Sequence, residues 1–241
     1  MKLALAATTA VLTSFTVPSI AQIPPTPVVV IVKVPTPWYA PRVLVTRKML
    51  DTVPQYSKLP GLSYKMFSLG QAERQFGGIY FWRSRADAQA WFNPAWFERV
   101  EKERGARGDV RTFDALISID NTATTTGAMA ASESKTVATL VLIPTPAGVD
   151  RERLLTEFKA AVPIYQKIPG LLRKHFVVTD DGQFAGVYLW NDQSSADQWF
   201  NPEWHARVRQ TYRSDALLEW FDIPILTPSA LAENKIDLIR P

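Results

Sequence analysis

The sequence predicts an α+β protein built from two tandem βαββαβ units whose sheets pack face to face as one barrel. Three observations predict it. Four blocks of sequence occur twice, in the same order and register. Each copy alternates β-rich runs with runs of helical period. The third predicted strand of each copy is apolar on both faces, so one face can lie under helices while the other needs a second sheet.

The repeat is read directly. Val53 to Leu62 recurs as Val162 to Leu171, sharing Val-Pro-x-Tyr and Pro-Gly-Leu. Gln75 to Trp82 recurs as Gln183 to Trp190. Trp91-Phe92-Asn93-Pro94 recurs as Trp199-Phe200-Asn201-Pro202, and Phe113-Asp114 as Phe221-Asp222. The offset is 109 residues through Phe67 and Phe176, and 108 from Gln75 and Gln183 onward. A single-residue gap confined to a hairpin turn is what a duplicated fold tolerates.

Residues 1–21 read as a secretory signal peptide: Lys2, an apolar run from Leu3 to Val17, and small residues at Ser19 and Ala21, with cleavage before Gln22. The run is too short and too interrupted to remain as a membrane span. A periplasmic or secreted location is therefore expected. Residues 22–27 form a Pro-rich spacer. The first unit is expected over 28–120, a Thr/Ala/Ser-rich linker over 121–135, the second unit over 136–228 and a tail over 229–241.

In the first unit, Val28–Val34 is a strand closed by Pro35-Thr36-Pro37. A helix follows from about Arg42 to Tyr56, stopped by Pro60-Gly61. Leu62–Leu69 and Phe76–Trp82 make a hairpin. Ser84 caps a short helix, and Asn93-Pro94 restarts it with Asn as cap and Pro in the first turn. Val110 to Ile117 is the last strand. The second unit repeats this with Thr136–Ile143, a helix capped by Asp150, a hairpin of Leu171–Val178 and Phe184–Trp190 turning at Asp181-Gly182, caps at Asp192 and Asn201, and a strand from Leu217 to Ile225. The order is that of a ferredoxin-like unit.

Composition narrows the chemistry. Net charge is +4 with no basic run, so no nucleic-acid partner is expected. There is no cysteine, which excludes disulfides, thiolate metal sites and a cysteine nucleophile. Two histidines, His175 and His205, cannot make a three-histidine zinc site. No nucleotide, phosphate, zinc-protease or serine-hydrolase motif occurs, and neither metal nor organic cofactor is expected.

Pro60-Gly61-Leu62 with Lys65 and Phe67, then Gly77 to Trp82, then Trp91-Phe92 and Phe113-Asp114, resemble the YdhR-type monooxygenases of the dimeric α/β-barrel superfamily. Both copies carry the resemblance, over about 28–120 and 136–226. It implies a barrel cavity for a small hydrophobic or aromatic molecule and oxygenation without a cofactor. The tandem fusion and the leader depart from the family's short, dimerising chains, and a monomeric pseudo-dimer is expected instead.

The candidate residues follow from the expected interior. Lys65 and Lys174 recur in strand two and would orient or deprotonate a substrate; an exposed strand edge would suit them equally. Tyr80, Trp82, Tyr188 and Trp190, with Phe67 and Phe176, would form an aromatic wall, or simply core. His175 stands where the first copy has Met66 and would be a general base at neutral pH. His205 and the helical Trp91, Trp96, Trp199 and Trp204 read as packing. The leading expectation is an exported, cofactor-independent monooxygenase. The alternatives are a non-catalytic ligand-binding protein, a lyase, cyclase or isomerase using the same base, and a haem protein with a histidine axial ligand.

Overall fold

A computed structural model describes residues 25–37, 39–122, 136–227 and 238–239. The expected leader, most of the linker and most of the tail lie outside them. The first half runs β1 (Val28–Pro35), α1 (Arg42–Tyr56), β2 (Leu62–Gly70), β3 (Gln75–Trp82), α2 (Arg85–Trp91), α3 (Pro94–Arg104) and β4 (Asp109–Asp120). The second runs β5 (Val137–Ile143), α4 (Arg151–Tyr165), β6 (Leu171–Val178), β7 (Phe184–Trp190), α5 (Gln193–Trp199), α6 (Pro202–Tyr212) and β8 (Leu217–Leu226). A two-residue strand, β9 (Leu238–Ile239), pairs with β4.

Local chemistry sets these boundaries. Ser84, Asn93, Asp150, Asp192 and Asn201 each accept a backbone N–H from the first turn that follows. Gly61 and Gly170 take left-handed φ of 79° and 75°, turning the chain from the first helix of each half into a strand.

The strands close into an eight-stranded barrel in the order β1-β3-β2-β8-β5-β7-β6-β4, with β4 returning to β1. Two seams join the halves, β2 with β8 and β4 with β6, both antiparallel. β4 extends three residues past the expected Ile117 because it serves two partners. Its first part pairs with β1 and its second with β6. Since neighbouring strands alternate in direction around the ring, β1 and β5 run the same way. Equivalent positions are therefore related by rotation about the barrel axis.

The helices coat the outside and the barrel is filled. Val29, Ile31, Ile79, Phe81, Leu140 and Val187 belong to one apolar cluster within it. This corrects the expected shared chamber: the inward faces carry Ile79 and Phe81, whereas Tyr80 and Trp82 lie beneath α2 and α3 with Ala88 and Trp96. Tyr188 and Trp190 lie likewise beneath α4, α5 and α6, packed with Phe158, Ala196 and Trp204. The physical reason is space. Indoles fit the layer between sheet and helix, while the small barrel's interior is filled by branched and single-ring side chains. Burying Trp82 and Trp190, at 1% and 0% exposed, contributes about 2–3 kcal/mol each.

Candidate functional site

Alternation along strands decides where each candidate goes. In β2, Lys65 and Phe67 share the helix-facing side with Tyr80, the cross-strand partner of Lys65. In β6, Lys174 and Phe176 share it with Tyr188. Between them, His175 points the other way, into the barrel. The candidates thus divide among three places: a helix–sheet layer in each half, and the barrel interior.

Inside the barrel, His175 is fully enclosed. Its Nε2 lies 2.7 Å from the Tyr64 hydroxyl and its Nδ1 2.7 Å from the Ser118 hydroxyl. Its ring sits 4.3 Å from that of Phe81. Burial, assisted by the positive charge of Arg173, holds its pKa well below 6.5, so it is neutral at pH 7. With both ring nitrogens engaged, it has none left for a haem iron. Arg173 stacks over Tyr64 at 4.5 Å and pairs with Asp120 at 3.3 Å. This cluster is a hydrogen-bonded polar plug in an apolar core.

The two lysines differ from it in kind. Neither is an exposed edge residue: Lys65 is 3% and Lys174 2% exposed. Neither side-chain amine makes a hydrogen bond or ion pair among the described residues. Lys65 Nζ lies 3.4 Å from the Tyr56 ring centre and 3.8 Å from that of Phe67. Lys174 Nζ lies 3.6 Å from Tyr188 and 4.5 Å from Phe176. An aromatic cage favours an ammonium by about 2 kcal/mol, whereas stripping it of water costs several. Burial wins, and both amines sit well below their ordinary 10.5.

A cavity of about 170 Å³ opens onto Lys174 alone of the two. It lies between the sheet of the second half and α4 and α6. Tyr165, Phe176, Phe184 and Tyr188 line it, with Glu157 and Tyr212 among its polar residues. The first half carries Lys48 and Arg104 at the positions matching Glu157 and Tyr212. Its own hollow, about 230 Å³ between Arg85, Phe92, Phe97 and Val110, contains no lysine. Of the expected site, the structure gathers Lys174, Phe176 and Tyr188; Trp190 packs behind Tyr188, their rings parallel and 5.7 Å apart. His205 is half-buried on α6 with its ring against Trp204 at 5.0 Å.

One residue was not anticipated. A Cβ at Gly186 would collide with Lys174 Nζ, so this glycine reserves the space of the amine. Its counterpart Gly78 does the same for Lys65, where a Cβ would come within 2.6 Å of Cε. The signal lay in the repeat: this second glycine recurs, whereas Gly77 is replaced by Ala185.

The closed barrel with helices outside is a fold already known. The chain shares the fold of proteins named as monooxygenases. One, named "Putative monooxygenase", from Fusobacterium nucleatum, superposes with a TM-score of 0.61 at 12% identity, covering 85% of this chain and 95% of that one. Another of the same name, from Lactobacillus acidophilus, gives 0.57 at 12% over 84% and 96%. An anthrone oxidase-like protein gives 0.54 at 10% over 87% and 96%. At such identities the likeness is one of fold. No family model and no curated protein matches the sequence. Among the described residues no group of His, Asp and Glu is placed to hold a metal, and no helix is long and apolar enough to cross a membrane.

Proposed function

We propose that this chain is a small-molecule oxygenase of the YdhR-like kind, arisen by tandem duplication and working in the cavity of its second half. The observation that carries the reading is a fully buried lysine at the wall of an aromatic cavity, its amine held by burial well below the ordinary 10.5. Such an amine is a ready base at neutral pH. It removes a proton from a phenolic or enolisable substrate, and the ammonium it becomes stabilises the resulting anion where water is excluded. That anion reacts with dioxygen, giving the oxidised carbon and water. Lys174 takes the role that His175 was expected to share, since His175 lies inside the barrel with both nitrogens bonded. The aromatic walls hold the ring, and the volume favours a single-ring compound over a tricyclic one.

The test is oxygen consumption by purified protein with 1,3-cyclohexanedione or catechol, without added metal or cofactor. Lys174→Met should lower uptake at least about 100-fold, the scale of losing a general base; Lys65→Met should leave it intact. Retention of a hydrophobic ligand with no turnover would favour the binding-protein alternative, which the apolar lining also suits. Proton exchange into substrate without oxygen uptake would favour an isomerase. We further propose that residues 1–21 direct export, so that the mature chain begins at Gln22, and that one chain is the functional unit. Both seams of the barrel are closed within the polypeptide.

A further inference from the structure

We propose a second chemistry for the cavity: the Lys174 amine condenses with the carbonyl group of a small apolar aldehyde or ketone to form an imine. The proposal shares with the oxygenase reading the cavity and the Lys174 amine, and needs no oxygen.

Four features of the site support it. The amine lies at the wall of a space of about 170 Å³, which fits a short-chain or single-ring carbonyl compound. Its surroundings are the faces of Tyr188, Phe176 and Tyr165, at 3.6, 4.5 and 5.5 Å from Nζ. No carboxylate neutralises it: Glu157, the acid of the lining, is exposed and pairs with Arg153 at 3.2 Å. And Gly186 keeps the amine's position open where any larger residue would displace it. Lys65 has the matching glycine but no cavity at its tip; Lys174 has both, and open space at the amine is what attack on a carbonyl requires.

The step balances without an oxidant or reductant. The nitrogen lone pair forms a bond to the carbonyl carbon as the C=O π pair moves to oxygen. The proton lost from nitrogen is taken up by that oxygen. The carbinolamine then expels water, leaving a carbon–nitrogen double bond. Tyr165 and Tyr188, both in the lining, are the proton-carrying groups beside the amine.

The experiment treats the intact protein near pH 7 with limiting benzaldehyde and sodium cyanoborohydride, which fixes any imine as a stable amine, and maps the adduct by mass spectrometry. The expected result is one benzyl group per chain, on Lys174, formed at least about tenfold faster than on any exposed lysine. Relative to exposed lysines its labelling should fall as pH rises from 7 to 9, since they gain free amine over that range and Lys174 does not. Gly186→Ala should slow it at least about tenfold while leaving the circular dichroism spectrum unchanged. Labelling spread over exposed lysines with none on Lys174 would overturn the proposal, as would a Lys174 rate that climbs with pH like the rest. Imine formation without oxygen uptake would leave this proposal standing and the oxygenase reading refuted; oxygen uptake without imine would do the reverse.

Discussion

At the scale of single residues, the buried bases make stability depend on pH in a definite direction. Burial holds the native Lys65 amine well below its ordinary 10.5, while in the unfolded chain it keeps a proton up to about that value. The penalty is therefore absent above that value and grows as pH falls toward the depressed native pKa. Lys65→Met should remove this lysine's share, raising Tm at pH 7 and flattening the rise in stability between pH 7 and 10. Each kcal/mol gained appears as about 2–4 °C in a thermal melt. His175 acts in the same sense lower down: below about 6.5 the unfolded state gains a proton that the native ring refuses, so stability falls. His175→Met, the residue at the matching place in the first half, should abolish that acid loss as followed by urea titration. At pH 7.5 it should nonetheless cost about 1–3 kcal/mol, because the hydroxyls of Tyr64 and Ser118 lose their partner. The separation of Lys174 from His175 was legible in advance. Consecutive residues of one strand face opposite ways, so no single chamber can hold both.

The elements are legible in the sequence because their signals are local. The caps at Ser84, Asn93, Asp150, Asp192 and Asn201 fall where the sequence places them, since a side-chain oxygen at a helix start acts within one turn. Asn201→Ala should cost about 1 kcal/mol in denaturant midpoint through the unpaired N–H of Trp204, and Asn93→Ala a similar amount through Trp96. What the pattern left open was the facing of the hairpins. Ile79 and Phe81 alternate with Tyr80 and Trp82, and both sets are apolar, so period alone names two faces without saying which is inside. The deciding quantity is volume across the barrel, which depends on the opposing strands and not on the segment itself. The cavity escaped for the same reason: it arises from how α4 and α6 sit over β5, β6 and β7, and from a glycine whose meaning depends on the strand beside it.

Across the whole molecule, matching positions of the two halves meet on the barrel axis, and they carry unlike residues. Toward one end Arg111 faces its counterpart Glu219, with Nη2 at 2.7 Å from both carboxylate oxygens, and Lys33 adds a contact of 3.1 Å. Toward the other, Tyr64 lies under its counterpart Arg173. Away from the axis the pairings repeat instead: Arg42 with Asp222 and Arg151 with Asp114, each at 2.8 Å. Burial pushes the Glu219 carboxyl up, but Arg111 and Lys33 outweigh it and hold it below 4.5, so this contribution is lost as pH falls through the carboxylate range. Arg111→Glu should cost at least about 2 kcal/mol in urea, and adding Glu219→Arg should recover at least half of it. The axial contacts also carry an implication for assembly. Were residues 25–122 and 136–241 made as separate polypeptides and mixed, they would sort into unlike couples. A pair of first halves would set Arg111 against its own copy, and a pair of second halves would oppose Glu219 to Glu219 and Arg173 to Arg173.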